Sequence, residues 1–448
     1  MAAARRRSRH PQEGIAGAGP ATHVGRPSGN GRRMQAQGIG RGEGSGWVAF
    51  RHRDFTLYCA VRFLSALATQ IQNVALGWLV YDITRDPLAL GLIGLAAFLP
   101  AICFALVTGH VADRFDRRAV LLVSYTLCTA AAAGLLYLAA SGSGTVWPIY
   151  ALTVLFGSAR AFANPAGQAM VPNLVPPEHF QNAVAWTSSA FQSATIAGPA
   201  LGGILYAMGQ GGELAFGAAT FCFALTLVLL TLIRHRRQPD KVREPVSWAS
   251  LIAGLVFIRS RPAIFGAISL DLFAVLLGGA TALLPIFARD ILAVGPWGLG
   301  LLRSMPAAGA VVMALLLAYR PLRRHTGRRM FQAVAVFGLA TIGFGLSSNL
   351  GLSLLCLFVL GAADMISVVV RQTLVQLDTP DAMRGRVAAV NTVFIGASNE
   401  LGELESGVLA ALIGTVPAVV LGGLGTLAVA GLWARWFPEL RRRDRLVE

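Results

Sequence analysis

The chain alternates between long apolar runs and short polar breaks. The runs fall at about 55–81, 88–110, 119–140, 147–170, 182–208, 213–233, 263–288, 297–319, 330–347, 351–376, 384–412 and 414–437. Each is near the roughly 20 residues a helix needs to cross a bilayer. The sharpest break is Gly109-His110-Val111-Ala112-Asp113-Arg114-Phe115-Asp116-Arg117-Arg118, which sets six ionisable residues between two runs, Leu88–Val107 and Ala119–Ala140, that carry no charge. The pattern predicts an all-α integral membrane protein with twelve transmembrane helices. An even number of spans puts both termini on one side. Between the sixth and seventh runs, Arg234–Val246 reads as a polar linker, and Trp248, Leu251, Ile252, Leu255 and Ile258 recur at helical spacing, as in an amphipathic helix at the membrane interface.

Composition agrees with this class. Of 448 residues, 55% are hydrophobic and 13% charged, and the mean hydropathy of +0.60 is too apolar for a soluble globular protein of this size. The net charge of +16 does not point to nucleic acid, because Lys and Arg fall in short clusters between apolar runs and in the tails. The clusters at 113–118, 234–243, 320–329 and 435–445 share one face with the N-terminal tail, whereas the opposite loops at 141–145, 209–213 and 347–351 are almost uncharged. By the positive-inside rule, both termini are cytoplasmic. Five cysteines stand singly in apolar segments, and the seven histidines lie in tails or loops, so no disulfide framework, zinc site or haem ligand is indicated. No phosphate loop of the Gly-x-x-x-x-Gly-Lys-Ser/Thr kind occurs, and no enzymatic constellation is found.

An internal repeat with an offset of 204 pairs Gln168 with Gln372, Val171 with Val375, Pro176 with Pro380, Ala185 with Ala389 and Gly198 with Gly402, and sets Arg160 opposite Asp364. The expected organisation is a disordered basic tail (1–46), a six-helix half (47–233), a linker with the interfacial helix (234–262), a second six-helix half (263–437) and a basic tail (438–448), the halves related by pseudo-two-fold symmetry. The N-terminal tail, Arg-rich and acid-poor, loosely mimics a transit peptide; an alternative is that Met34 is the true start.

The spacing Gly109-x-x-x-Asp113-Arg114-x-x-Arg117-Arg118 resembles the signature loop between the second and third spans of major facilitator superfamily transporters, with Asp116 where Gly is usual. In the fifth run, Gly198-Pro199-x-x-Gly202-Gly203 resembles the antiporter signature of that superfamily. An ordinary kinked, small-residue helix would carry the same residues. Arg160 resembles the Arg of the fourth-span Leu-x-x-x-Arg motif, with Phe156 in the Leu place. Trp78–Thr84, Leu284–Asp290 and Asn399–Gly407 look like the bacterial exporter branch of the enterobactin-exporter and macrolide-efflux type. The resemblance covers about 47–440. It implies a proton-coupled exporter of small amphipathic molecules, siderophore or drug-like, working by alternating access as a monomer in the bacterial plasma membrane. It implies no cofactor, with the proton gradient as driving force. An importer or uniporter on the same fold, or a non-transporting scaffold or sensor, stays open.

Ionisable groups inside hydrocarbon are costly and mark cavities or routes. Arg62, Ser65, Thr69, Gln72 and Asn73 share a stripe of the first run, and Arg160, Asn164, Gly167 and Gln168 one of the fourth. The seventh run offers Asp271, the eighth Arg303, the tenth Asp364, Ser367 and Arg371, and the eleventh Thr392, Asn399, Glu400 and Glu403. Arg62, Arg160, Asp271, Arg303, Asp364, Arg371, Glu400 and Glu403 are the candidates for proton coupling or charge relay. Thr69, Gln72, Asn73, Asn164, Gln168, Ser189, Gln192 and Asn399 are those for the substrate cavity. Structural ion pairs that merely lock helices would look identical in sequence. Asp113 is expected to meet the N-terminal end of the eleventh span near 384–387 and hold the cytoplasmic side closed.

Overall fold

The computed structural model describes residues 46–104, 107–108, 111, 114–142, 144–209, 211–234, 248–322 and 324–444. Gly109 and Asp113 of the basic loop, most of the linker and nearly all of the N-terminal tail lie outside the described residues. Among those described there are helices and turns but no strand. The helices are α1 (Arg53–Thr84), α2 (Pro87–Cys103), α3 (Arg117–Ala140), α4 (Trp147–Met170), α5 (Phe180–Met208), α6 (Glu213–Leu232), α7 (Trp248–Ser260), α8 (Pro262–Leu277), α9 (Gly295–Tyr319), α10 (Thr326–Leu346), α11 (Leu350–Asp378), α12 (Asp381–Ile413), α13 (Thr415–Trp436) and α14 (Pro438–Arg442).

Eight segments are long and apolar enough to cross a membrane: α1, α3, α6, α8 with its continuation to Ile291, α9, α10, α11 and α13. Helices α4, α5 and α12 fall outside that measure. They carry polar stripes, with Arg160 and Asn164 on α4, Ser189 and Gln192 on α5, and Glu400 and Glu403 on α12, and such stripes belong to helices that face a protein interior rather than lipid.

Local chemistry explains the boundaries. Asp86 caps α2 by accepting from the Leu88 amide at 2.9 Å. Asp116, in the place where the signature loop usually has Gly, caps α3 by accepting from the Arg118 amide at 3.0 Å. Arg85 closes α1 in the left-handed region at φ 53°. At the start of α1, Trp47 packs on Trp186 with ring centroids 4.4 Å apart, and the Trp186 indole donates to the Gly46 carbonyl at 2.7 Å, tying α1 to α5. At the other end of the chain, Arg443 pairs with Asp378 through two bonds of 2.5 and 2.7 Å.

One departure from the sequence pattern matters. The seventh apolar run is not one straight helix: α8 stops at Gly278, and the chain continues through a 3₁₀ turn (Ala280–Leu283) and a π-helical turn (Phe287–Ile291). A Cβ at Gly279 would stand 2.7 Å from the Gly402 carbonyl oxygen, so the break is where α12 comes in close. Helix α7 forms over the expected segment. It buries Ile258 and lays Gly254 against the Arg386 carbonyl and Val390 of α12, leaving Ile252 57% and Leu255 42% exposed. Close approach at a residue without a side chain decides which side of this helix is buried.

Candidate functional site

A cavity of about 110 Å³ lies among α1, α3, α4, α5 and α6. Helix α1 contributes Arg62, Ser65, Thr69, Gln70 and Asn73; α3 contributes Tyr125 and Cys128; α4 contributes Arg160 and Asn164; and Phe191, Thr195 and Phe223 close it. The Arg62 guanidinium lies 5.5 Å from the centre of the Phe191 ring and that of Arg160 lies 5.8 Å from Phe156, distances at which a cation is attracted to a ring face. Thr69, Asn73 and Asn164 are thus on the wall, as expected, together with both arginines. Gln72 is not. At 100° per residue it sits roughly 65° from the centre of the 62–65–69–73 stripe. It is 1% exposed, and its amide oxygen and nitrogen have no hydrogen-bond partner. Gln168, Ser189, Gln192 and Asn399 also do not line this cavity. Tyr125 and Cys128 were not legible in the pattern, because α3 carries no charged residue after Arg118 to mark a face.

A second group of charges lies where α2 and α4 meet α9 and α12. A Cβ at Gly94 of α2 would stand 2.8 Å from Glu403 Oε2 and 3.5 Å from Glu400 Oε2, so the missing side chain makes the space both carboxylates occupy. Glu400 interacts electrostatically with Glu403, Arg160 and Arg303, and Glu403 with Arg303. Among the described residues none of these four groups has an ion-pair partner within 4 Å. Two cations, on α4 and α9, and two carboxylates one helical turn apart on α12 therefore act on one another without being locked.

The third group is closed. Arg371 of α11 pairs with Asp271 of α8 at 3.1 Å and donates to Asn391 of α12 at 3.0 Å, with both charged side chains under 10% exposed. Asp364 and Ser367 border a void of about 10 Å³ beside this pair, and the Ser367 hydroxyl and Arg371 Nε have no partner. That void is about the size of one water. The charges that act on Asp364 are Asp271 and Arg371.

The two signature motifs do different work. Arg117 donates to the Ala169 carbonyl at the end of α4 (3.0 Å), and Arg118 to the Leu230 (3.1 Å) and Thr231 (2.6 Å) carbonyls at the end of α6. These carbonyls lie in the last turns of helices, whose C-terminal ends attract cations. Arg114 is exposed. Gly109 and Asp113 lie outside the described residues. In the fifth-run motif, a Cβ at Gly198 would be 2.5 Å from Gln70 Cβ and one at Gly202 2.9 Å from Ile71 Cα, both on α1. Gly203 turns the other way. Its Cβ would be 2.5 Å from the Pro296 carbonyl and 2.9 Å from Gly300 Cα at the start of α9. Pro199, inside α5, places its carbonyl against Gly300.

The face remote from the termini also carries an ionic latch that was not among the expected site residues. Arg289 pairs with Asp82 and lies 5.5 Å over Trp78, Tyr81 donates to Asp290, and Arg85 reaches Asp290 at 3.5 Å. On the same face Gly91 of α2 meets Gly407 of α12, where a Cβ on either would be within 3.2 Å of backbone. Opposite charges at the far ends of the first and seventh apolar runs, on a face otherwise poor in charge, were the available signal.

A polytopic helical bundle with a polar cavity, unlocked membrane charges and a latch at one face defines a membrane transport protein, not an enzyme. Residues 44–445 match the family model described as transmembrane secretion effector, and the chain belongs to this family of major facilitator superfamily exporters. It is 28% identical over 392 residues to the enterobactin exporter of Citrobacter koseri, covering 87% of this chain and 93% of that protein. The enterobactin exporter of Shigella boydii is 26% identical over the same shares. Among solved structures, a bacterial homologue of the human lysosomal transporter Spinster, inward-facing and unoccupied, superposes with a TM-score of 0.69 at 13% identity, over 88% of this chain and 98% of that one. A bacterial homologue of the iron transporter ferroportin, inward-facing, gives 0.65 at 17% identity, over 87% and 99%. At such identities these two likenesses show the fold.

Proposed function

We propose that this exporter is proton-coupled and moves small amphipathic molecules, of the siderophore or drug-like kind, by alternating access. In this reading twelve spans form two six-helix halves, α1–α6 and α8–α13, and the monomer sits in the bacterial plasma membrane with both termini cytoplasmic. The observation that carries it is the meeting of Arg160, Arg303, Glu400 and Glu403 between the two helix groups without ion pairing. Charges of both signs held unlocked in hydrocarbon are costly, and a role in binding and releasing charge accounts for them. Contacts between the groups gather on the face remote from the termini, at Gly203 with Gly300, Gly91 with Gly407 and Asp82 with Arg289. This supports a conformation closed outward and open to the cytoplasm. The relatives' name brings a catecholate siderophore forward as a test compound. Everted membrane vesicles made acid inside should accumulate enterobactin only while the pH gradient lasts. Accumulation that survives a protonophore refutes proton coupling.

A further inference from the structure

The 110 Å³ cavity has an unusual charge content: two arginines, Arg62 and Arg160, and no aspartate or glutamate on its wall. Neither guanidinium has an ion pair within 4 Å among the described residues. The carboxylate that acts on Arg160, Glu400, belongs to α12 and does not line the cavity. Around the arginines stand neutral polar side chains, Thr69, Asn73 and Asn164, while Phe191 and Phe223 supply aromatic surface.

We propose that this cavity is an anion subsite, and that the exporter takes molecules carrying a carboxylate, catecholate or sulfonate head on an aromatic or apolar body, the head held between Arg62 and Arg160. The inference rests on the export reading above and narrows its substrate class. Arginines bind planar oxyanions through fixed, forked donors, both of these are half-buried, and Phe191, the ring that now holds Arg62 by cation–π contact, lines the cavity with Phe223 and is placed to stack on a flat ligand body. A cationic drug would meet two like charges in a site with no carboxylate to balance them. The volume fits a ring-sized head rather than a whole siderophore, so larger substrates would project toward the seam where Glu400 lies.

The test is calorimetry on the full chain in nanodiscs with three probes of nearly equal shape: 2-naphthalenesulfonate, 2-naphthalenesulfonamide and 2-naphthylmethyl-trimethylammonium. The sulfonate should bind at least roughly tenfold more tightly than the neutral and cationic probes, the weight of one charge-assisted contact. Arg62→Gln and Arg160→Gln should each weaken sulfonate binding by about 10- to 100-fold. Arg62→Lys should retain part of it, which separates loss of charge from misfolding, and Arg435→Gln at the end of α13 should change nothing. Equal or tighter binding of the cation, no sulfonate binding at millimolar concentration, or unchanged affinity in both glutamine variants overturns the proposal. If the sulfonate binds as stated and yet no compound is exported against its gradient, the export reading fails and the anion subsite stands. If the parent exports compounds against their gradient while sulfonate affinity is unchanged in both Arg62→Gln and Arg160→Gln, the export reading stands and the anion subsite fails.

Discussion

Gly203 offers the most direct handle on the proposed closure of the face remote from the termini. A Cβ there would fall short of the 3.4 Å at which ordinary contact begins by about 0.9 Å toward the Pro296 carbonyl and about 0.5 Å toward Gly300 Cα. Both obstacles are backbone, so no side chain can swing aside, and α5 and α9 must separate. Overpacking of this kind costs roughly 1–3 kcal/mol. Because the contact joins α5 to α9, the strain falls on the arrangement in which they touch, and in the proposed alternating-access cycle it shifts the balance away from that arrangement by roughly 5- to 150-fold. Spin labels on Met208→Cys and Trp297→Cys, both exposed at the far face, report the gap between α5 and α9. Cys103, the exposed native thiol, is replaced first. Gly203→Ala should lengthen the interspin distance modestly and Gly203→Val more, with export falling in the same order. Gly198→Val, whose Cβ meets α1 rather than α9, should instead lower thermal stability without lengthening it. An unchanged distance distribution in Gly203→Val, with full export, would refute the reasoning.

Glu400→Gln or Glu403→Gln should abolish export driven uphill by a pH gradient while downhill substrate exchange survives; retention of uphill export in both variants moves the coupling elsewhere, with Asp271 and Asp364 next in line. Asp271→Asn leaves Arg371 charged and unpaired at 2% exposure, which should destabilise the protein by about 3–5 kcal/mol. Pairing it with Arg371→Met should recover most of the lost melting temperature in detergent, and a double variant no better than the single one defeats this account. Arg289→Gln removes an ion pair whose side chains are 23% and 44% exposed, so melting should shift by no more than about 1 kcal/mol equivalent. Its effect should show instead as faster labelling of a thiol placed on the far face, and no change in labelling counts against a latch.

What could be read from the chain follows the range of the interaction concerned. Helix positions were legible because apolar length and period are local, and the cavity stripe at Ser65, Thr69 and Asn73 was legible because residues four apart share a face. Gln72 was misplaced by the same rule applied too broadly, since the edge of a stripe and its centre look alike in sequence and differ only in what packs there. The break at Gly278–Gly279 was hidden in an unbroken apolar run. It answers to the Gly402 carbonyl of α12, more than 120 residues away, and nothing local records that contact. Asp116 shows the converse. Read against a family pattern it is a departure, yet as the residue before α3 with its carboxylate on the Arg118 amide it is an ordinary helix cap. The charges divide on the same principle. Arg117 and Arg118 answer to helix ends close by in the fold, and Arg371 to Asp271, so their cost in the membrane is met by fixed partners. Arg62, Arg160, Arg303, Glu400 and Glu403 have no such partner among the described residues, and only groups left unmatched in this way are free to exchange a substrate head or a proton as the protein changes shape.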